Sequence, residues 1–174
     1  ELLVERIQQV VKQVNSNLIK LAVEMGSGPV GSTVIALIVS EDGKGVCLWA
    51  GDSRRYRLRN QELEQISRDH SQVQGLLDYG IITEQEAERH PAANIITNAV
   101  GVDEKLHIDR QEIDVRGGDV YLLCSDGVNK ELDSTQIRNA LLLDDARKIV
   151  NTLVSGALAN GGRDNITAVC VRIS

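Results

Sequence analysis

Between residues 32 and 66 the chain runs through short apolar or alternating segments that are joined by turns too short to hold a helix. Parallel neighbours in a sheet need a crossover of a dozen or more residues, so these connections predict antiparallel pairing. The segment over 54–59 alternates arginines with Tyr56 and Leu58, which predicts one wet face. The predicted strands cover residues 32–40, 46–50, 54–59 and 62–66.

A single helix is predicted before these strands, over residues 1–25, and Gly26-Ser27-Gly28-Pro29 ends it. Its apolar side chains recur in steps of three and four and form one stripe. A chain that begins inside so strong a helix predicts that a segment has been lost upstream. The stripe consists of Leu3, Ile7, Val10, Val14, Leu18 and Leu21.

The rest of the chain mixes short helices with further strands. Residues 67–101 are polar and helical in short pieces, and Thr83-x-x-Glu86 forms a capping box whose helix runs toward His90. This order predicts an α+β fold, with sheet and helices in layers, in one domain over 1–174. The later elements are strands over 106–113 and 120–124, helices over 135–143 and 146–160 with a Gly161-Gly162 cap, and a strand over 166–173.

Charge and composition exclude some classes of function. The net charge of −6 argues against sequence-independent binding to nucleic acid or to an anionic membrane surface. No apolar run approaches the roughly 18 residues that cross a bilayer, and the N-terminal residues lack the apolar h-region of a signal peptide. Cys47, Cys124 and Cys170 lie far apart in apolar runs, so we expect reduced, buried thiols and a cytoplasmic location.

Three carboxylates interrupt the strand pattern beside a glycine or an asparagine. Asp52 and Asp126 each follow an apolar strand, and Asp164 precedes one. Strand ends from distant parts of a chain can converge on one rim, where three carboxylates would repel one another unless cations neutralise them. Mg²⁺ and Mn²⁺ take oxygen ligands of this kind. The alternative is that each aspartate simply makes a turn or caps a helix.

Other candidate residues carry weaker signals. His70, His90 and His107 lack the spacing of a helical metal pair and are interpreted as surface or satisfied histidines. Ser53 does not lie in the Gly-x-Ser-x-Gly motif of a serine-hydrolase nucleophile. The Walker A and Gly-x-Gly-x-x-Gly motifs of nucleotide-binding loops are also absent from the sequence. The arginines over 54–59 are interpreted as a solvated strand face, from which Arg54 is a candidate phosphate contact.

Taken together in chain order, the motifs resemble one family, the metal-dependent protein phosphatases of type 2C, in their bacterial branch. The resemblance covers nearly the whole chain and implies an α-β-β-α sandwich of two antiparallel sheets with a binuclear Mg²⁺/Mn²⁺ site. The motifs are Gly31-Ser32-Thr33, Ala50-Gly51-Asp52-Ser53-Arg54 with Tyr56, Ser67-Arg68-Asp69-His70-Ser71, Glu88-Arg89-His90-Pro91, Gly118-Asp119, Leu123-Cys124-Ser125-Asp126-Gly127 and Gly161-Gly162-Arg163-Asp164-Asn165-Ile166-Thr167.

The resemblance also implies roles for particular residues. Asp126 and Asp164 would ligate the metal pair, and Asp52 would join Asp126 in holding a third, weaker ion. Residues 67–101 resemble the family's flap, a segment beside the active site. The metal ligands would be held in position by Asn165, Ser125 and Gly127, which would not bind the metal themselves. No catalytic residue beyond the metal ligands is expected.

The implied function is hydrolysis of phosphoserine and phosphothreonine in proteins through metal-activated water, in bacterial signalling with a cognate Ser/Thr kinase. The chain departs from the family because the N-terminal third, with its Asp-Gly-x-Gly-Gly loop, is missing; Ser27–Val30 is inserted, and Arg55 replaces a small or apolar residue. We therefore expect weak or no activity from this chain alone, and exposed sheet edges that favour association. The alternatives are a truncated, impaired module that binds or regulates phosphoproteins, and an α+β domain with another cation-dependent hydrolase chemistry.

Overall fold

The computed structural model describes residues 1–88 and 90–174, without the side chains of Glu84 and Glu88, so Arg89 of the predicted 88–91 motif lies outside the described residues. Most predicted elements form within a few residues of their expected bounds, and the Thr83–Glu86 capping box is present. The helices are α1 (Leu2–Met25), α2 (Gln72–Asp78), α3 (Glu84–Glu88), α4 (Asp126–Asn129), α5 (Ser134–Leu141) and α6 (Ala146–Ala159). The strands are β1 (Val34–Val39), β2 (Lys44–Ala50), β3 (Arg54–Arg59), β4 (Glu62–Gln65), β5 (Asp109–Asp114), β6 (Val120–Cys124) and β7 (Ala168–Arg172).

Two sheets form, with the strand orders β1-β2-β5 and β4-β3-β6-β7. The predicted α+β fold with two antiparallel sheets is confirmed. In the four-stranded sheet, Tyr56 lies opposite Leu122, which in turn lies opposite Cys170. The expectation that consecutive strands pair is wrong for β2 and β3, which belong to different sheets. Gly51, between them, has φ +114°, a backbone conformation that interrupts the extended chain.

The chain divides into two compact units. The first unit comprises Glu1–Ile38, Val46–Asp52 and Arg68–Gln111; the second comprises Val39–Gly45, Ser53–Ser67 and Glu112–Ser174. The division into one catalytic domain with a flap over 67–101 stays a prediction.

In the first unit, α1 forms as predicted and ends at Gly26, which has φ +61°. The predicted apolar stripe is not its buried face, however, because Leu3, Val10, Val14 and Leu21 are all exposed. The helix instead buries Val4, Asn15 and Ala22. The Asn15 side chain accepts a hydrogen bond from the Gly101 N–H at 2.6 Å and donates one to the Asp103 carbonyl at 2.9 Å, which fixes the rotation of the helix against that turn.

In the second unit, one face of the four-stranded sheet packs on α5 and α6 through an aliphatic core. Tyr56 and Leu58 of β3 point into this core. The other face of β3 is not wet, contrary to the prediction, since the Arg55 side chain is fully buried and Arg59 pairs with the buried Asp119. Further core members are Val120, Leu122, Cys124, Val128, Leu132, Ile137, Ala140, Leu141, Ile149, Leu153 and Ala157.

The cysteines occupy the apolar positions expected of them. Cys47 and Cys124 are buried, and Cys170 is half-buried. Burial raises the pKa of the Cys170 thiol, which keeps it protonated at neutral pH. Among the described residues, every helix is too short or too polar to span a membrane.

Candidate metal centre

Asp126 is the first residue of α4, a single helical turn that follows directly from β6. Ser125 precedes it in an extended conformation. The Asp126 carboxylate is partly buried, with its side chain 21% exposed, and it forms an ion pair with the Lys130 ammonium one turn along the chain. The strand end therefore presents a carboxylate whose charge is balanced by a neighbouring cation.

Asp164 lies in the loop that leads from α6 to β7. Gly161 (φ +142°) and Gly162 (φ +55°) adopt conformations that L side chains rarely enter, and they turn the chain after the helix. The next residue, Arg163, donates from Nε to Glu131 Oε1 at 2.8 Å and from Nη2 to Oε2 at 3.1 Å. The Glu131 side chain is only 2% exposed, and the hydrogen bonds from Arg163 lower the pKa of that carboxyl. This pair of hydrogen bonds between Arg163 and Glu131 anchors the loop one residue before Asp164.

The segments that carry Asp126 and Asp164 lie side by side. The Ser125 hydroxyl donates to the Asn165 carbonyl at 2.9 Å and accepts from the Thr167 N–H at 3.0 Å, while the Ser125 N–H donates to the Thr167 carbonyl at 3.0 Å. A Cβ on Gly127 would stand 2.4 Å from the Asn165 carbonyl oxygen, so only glycine allows this approach. The Asp164 carboxylate is exposed and accepts from the Asn165 N–H at 2.7 Å. The predicted supporting residues Ser125, Gly127 and Asn165 thus join the two segments through their own contacts.

Asp52 belongs to the first unit, where it ends the loop after β2 and is 8% exposed. The Gly51 backbone before it is held by His70. Arg54 opens β3 in the second unit and donates to the Tyr56 hydroxyl at 3.3 Å. Metal binding by Asp52 and phosphate binding by Arg54 stay predictions.

The donor chemistry of the second unit fits part of a site for a hard divalent ion. Asp126 and Asp164 supply carboxylate oxygens from adjoining segments, and such oxygens are the ligands that Mg²⁺ and Mn²⁺ prefer. Over residues 1–88 and 90–174, no group of three or more histidine, cysteine, aspartate or glutamate side chains is arranged to hold a metal ion. Metal binding by Asp126 and Asp164 therefore stays a prediction.

The sequence did not reveal the contacts of Lys130, Glu131 and Arg163, and it gave His70 and His90 no functional role. The spacing of Asp126 and Lys130 is that of a helical ion pair and could have revealed that contact. Glu131 and Arg163 are far apart in the chain, and nothing in either segment signals their pairing. His70 is a satisfied histidine, as interpreted, and one of its partners is the backbone N–H of Gly51, next to Asp52. His90 is likewise satisfied by the Ala92 N–H at 3.1 Å.

The chain was compared with family models and with known proteins, and the known proteins gave matches. No family model matches the chain. The serine/threonine phosphatase Stp of Listeria monocytogenes (strain F2365) is 32% identical over 169 residues, which cover 95% of this chain. The chain spans 66% of the length of that relative.

Solved structures agree with the sequence comparison. PppA of Pseudomonas aeruginosa, described as a key regulatory component of T6SS, superposes with a TM-score of 0.89 at 43% identity, over 97% of this chain and 69% of that one. The catalytic domain of the serine/threonine phosphatase PstP, solved with two manganese ions, superposes with a TM-score of 0.82 at 31% identity, over 92% of this chain and 67% of that one. The chain therefore belongs to the PPM, or type 2C, family of serine/threonine phosphatases.

Proposed function

We propose that this chain forms part of a phosphoprotein phosphatase that removes phosphate from serine and threonine side chains with the help of Mg²⁺ or Mn²⁺. The observation that carries the proposal is the joining of the Asp126 and Asp164 segments through Ser125, Gly127 and Asn165. The family names of the relatives and the two manganese ions of the PstP structure support the reaction class and the cofactor.

In this proposal each residue has a limited task. Asp126 and Asp164 would hold divalent cation, with Asp52 contributing to a further, weaker ion. When bound, such ions activate water for attack and neutralise the phosphoryl oxygens. The Lys130 ammonium would leave the Asp126 carboxylate as the ion enters, since both bind the same oxygens. Gly127 keeps the two segments close, and Arg54 would offer a guanidinium to the phosphate.

The remaining features of the proposal follow from the family. The substrates would be phosphorylated proteins, with a cognate Ser/Thr kinase, in the bacterial cytoplasm. Residues 67–101, including α2 and α3, would act as the flap that affects substrate access.

The test is Mn²⁺-dependent release of phosphate from a phosphothreonine peptide by the complete gene product. Asp126→Asn and Asp164→Asn should each lower the rate at least 100-fold, because they remove a metal-binding charge. Asp144→Asn is the matched control: that carboxylate is 82% exposed at the start of α6, pairs with Lys148, and should change the rate less than twofold. Full activity in both site variants would refute the metal assignment.

One observation favours a second candidate, a module that binds phosphoproteins without turning them over. Among the described residues, no group of three or more histidine, cysteine, aspartate or glutamate side chains is arranged to hold a metal ion. Such a module would retain binding of the phosphothreonine peptide, measured by fluorescence anisotropy, while Mn²⁺ leaves phosphate release at background. Mn²⁺-stimulated turnover by the complete gene product would decide for the enzyme.

A further inference from the structure

The backbone of Gly51 is held on both sides by a single residue, His70. The Gly51 N–H donates to His70 Nδ1 at 3.1 Å, and the His70 N–H donates to the Gly51 carbonyl at 3.0 Å. Both polar groups of the residue before Asp52 are therefore satisfied by a segment nineteen positions further along the chain.

Gly51 is also a position where only glycine fits. Its φ is +114°, and a Cβ there would lie 2.4 Å from Thr33 Cγ2. Glycine adopts this conformation readily, but its backbone has more conformational freedom than that of any other residue. The pair of hydrogen bonds from His70 limits that freedom at the point where Asp52 is presented.

The hydrogen bonds around His70 also fix its tautomer. The Asn98 Oδ1 accepts from the His107 N–H at 3.1 Å, which identifies the other amide atom as nitrogen. That Nδ2 donates to the His107 carbonyl at 2.7 Å and to His70 Nδ1 at 2.8 Å. Nδ1 thus faces two donors and carries no hydrogen, so the neutral ring bears its hydrogen on Nε2, 3.1 Å from Asp109 Oδ2.

Packing holds the ring in this orientation. The His70 side chain is 14% exposed, and the Trp49 indole stacks on it with centroids 6.4 Å apart and planes inclined by 22°. The indole N–H donates to the Arg68 carbonyl at 2.8 Å, which ties the same segment to β2. These contacts therefore fix the position of the His70 ring against β2.

We propose that His70 is a positioning residue for Asp52, acting through Gly51 as the Nε2–H tautomer. The Gly51 carbonyl shares a rigid peptide plane with the Asp52 N–H, so holding that carbonyl orients the start of Asp52. The consequence for metal binding rests on the proposed function, in which Asp52 takes a divalent ion. The restraint on Gly51 does not depend on that assignment.

Two substitutions separate the two ring nitrogens. In His70→Asn the side-chain oxygen takes the place of Nδ1 and can still accept the Gly51 N–H, whereas in His70→Gln the amide reaches the place of Nε2 instead. Amide hydrogen exchange in the ¹⁵N-labelled 174-residue chain should show Gly51 exchanging about five- to tenfold faster in His70→Gln, as expected when one hydrogen bond is lost. His70→Asn should stay within twofold of the unsubstituted chain, and exchange of the core residue Leu122 should be unchanged in both.

His90→Gln is the matched control, because His90 lies in the same unit and its Nδ1 accepts a hydrogen bond from the Ala92 N–H at 3.1 Å. It should leave Gly51 exchange unchanged. Equal Gly51 exchange in His70→Gln, His70→Asn and the unsubstituted chain would overturn the proposal, and so would faster exchange in both His70 variants alike.

The second measurement is Mn²⁺ binding, followed by electron paramagnetic resonance of the free ion. Asp52→Asn should weaken binding, and His70→Gln should weaken it about threefold while His70→Asn stays near the unsubstituted chain. If Asp52→Asn has no effect, the metal assignment of Asp52 fails and the exchange data alone decide the positioning claim. If Asp52→Asn weakens binding and His70→Gln does not, the positioning claim fails.

Discussion

At the scale of single residues, Asp119 shows how a charge is accommodated in the second unit. Its side chain is 1% exposed and receives Arg59 Nε and Nη2 at 2.7 Å, the Arg116 N–H at 2.9 Å and the Tyr121 hydroxyl at 2.9 Å. Burial would raise the pKa of Asp119, but these hydrogen bonds outweigh it and lower the pKa. The ionised form is therefore the one that the fold stabilises.

We predict that Asp119→Asn lowers the free energy of unfolding by about 3 kcal/mol at pH 7, because Arg59 loses its buried partner. The Asp119 pKa is lower in the folded chain than its unfolded value of about 3.9. Its contribution is thus present above that pH and lost as the pH falls below it. Urea unfolding should show the gap between variant and unsubstituted chain narrowing below about pH 4.

The matched control is Asp114→Asn, whose carboxylate pairs with Arg116 on the surface, each side chain more than 60% exposed. It should cost no more than about 1 kcal/mol. A loss equal to that of Asp119→Asn would contradict the special role of the buried carboxylate.

Tyr121 gives the corresponding prediction at high pH. Burial, followed by the hydrogen bond to Asp119, raises the pKa of Tyr121 to about 12. Because the unfolded value is about 10, the contribution of Tyr121 is present below pH 10 and lost as the pH rises toward 12. Tyr121→Phe should therefore be less stable than the unsubstituted chain at pH 8, and the difference should shrink above pH 10 in urea titrations. Tyr79→Phe, at a side chain 85% exposed, should show no such convergence.

The burial of the arginines on β3 was the feature that the sequence predicted least well. Arginines alternating with Tyr56 and Leu58 are typical of a strand with one face in water, yet Arg55 is buried. The decisive partner of Arg59, Asp119, is sixty positions away, and local alternation carries no information about it. The positions of Asp52 and Asp126 just after strands were predictable, because each aspartate lies beside a glycine directly after an apolar run.

At the scale of elements, the candidate site depends on α4 lying against the loop from α6 to β7. Gly127→Ala would place a methyl group 2.4 Å from the Asn165 carbonyl oxygen, inside van der Waals contact. We predict a loss of about 1 to 3 kcal/mol in unfolding free energy. We also expect weaker Mn²⁺ binding by calorimetry, because the Asp126 and Asp164 segments must separate.

Gly75→Ala provides the comparison, since Gly75 lies within α2 and a Cβ there meets nothing within 4 Å. That variant should be stabilised by roughly 0.5 to 1 kcal/mol, with Mn²⁺ binding unchanged. If Gly127→Ala behaves in the same way, the close approach does not matter to the site.

Element existence was easier to predict than element pairing. The apolar periodicity of α1 predicted the length of the helix well. Its buried face, however, depends on the hydrogen bonds of Asn15 with the 101–103 turn, and the periodicity gives no information about these bonds. The short connection between β2 and β3 predicted that these strands pair, whereas the chain turns at Gly51 and β3 joins a second sheet. The order of the motifs, by contrast, predicted the family correctly.

At the scale of the whole molecule, the exposed stripe of α1 predicts self-association. Val10 and Val14 are 55% and 42% exposed on one side of the helix, and exposed apolar side chains favour contact with another apolar surface. The Val10→Lys, Val14→Lys variant should sediment as a smaller species than the unsubstituted chain at high protein concentration. Gln9→Lys, which adds charge at an exposed polar position of the same helix, should not change sedimentation. An unchanged distribution in the double variant would show that the stripe is not involved.

The ion pair between Asp126 and Lys130 has a consequence for how the protein behaves when cations are scarce. The ammonium is a counterion within the chain, so we expect Asp126 to stay charge-balanced by Lys130 when EDTA removes divalent ions. Under the proposed function, a divalent ion at Asp126 would displace the Lys130 ammonium, and loss of the ion would restore the ion pair.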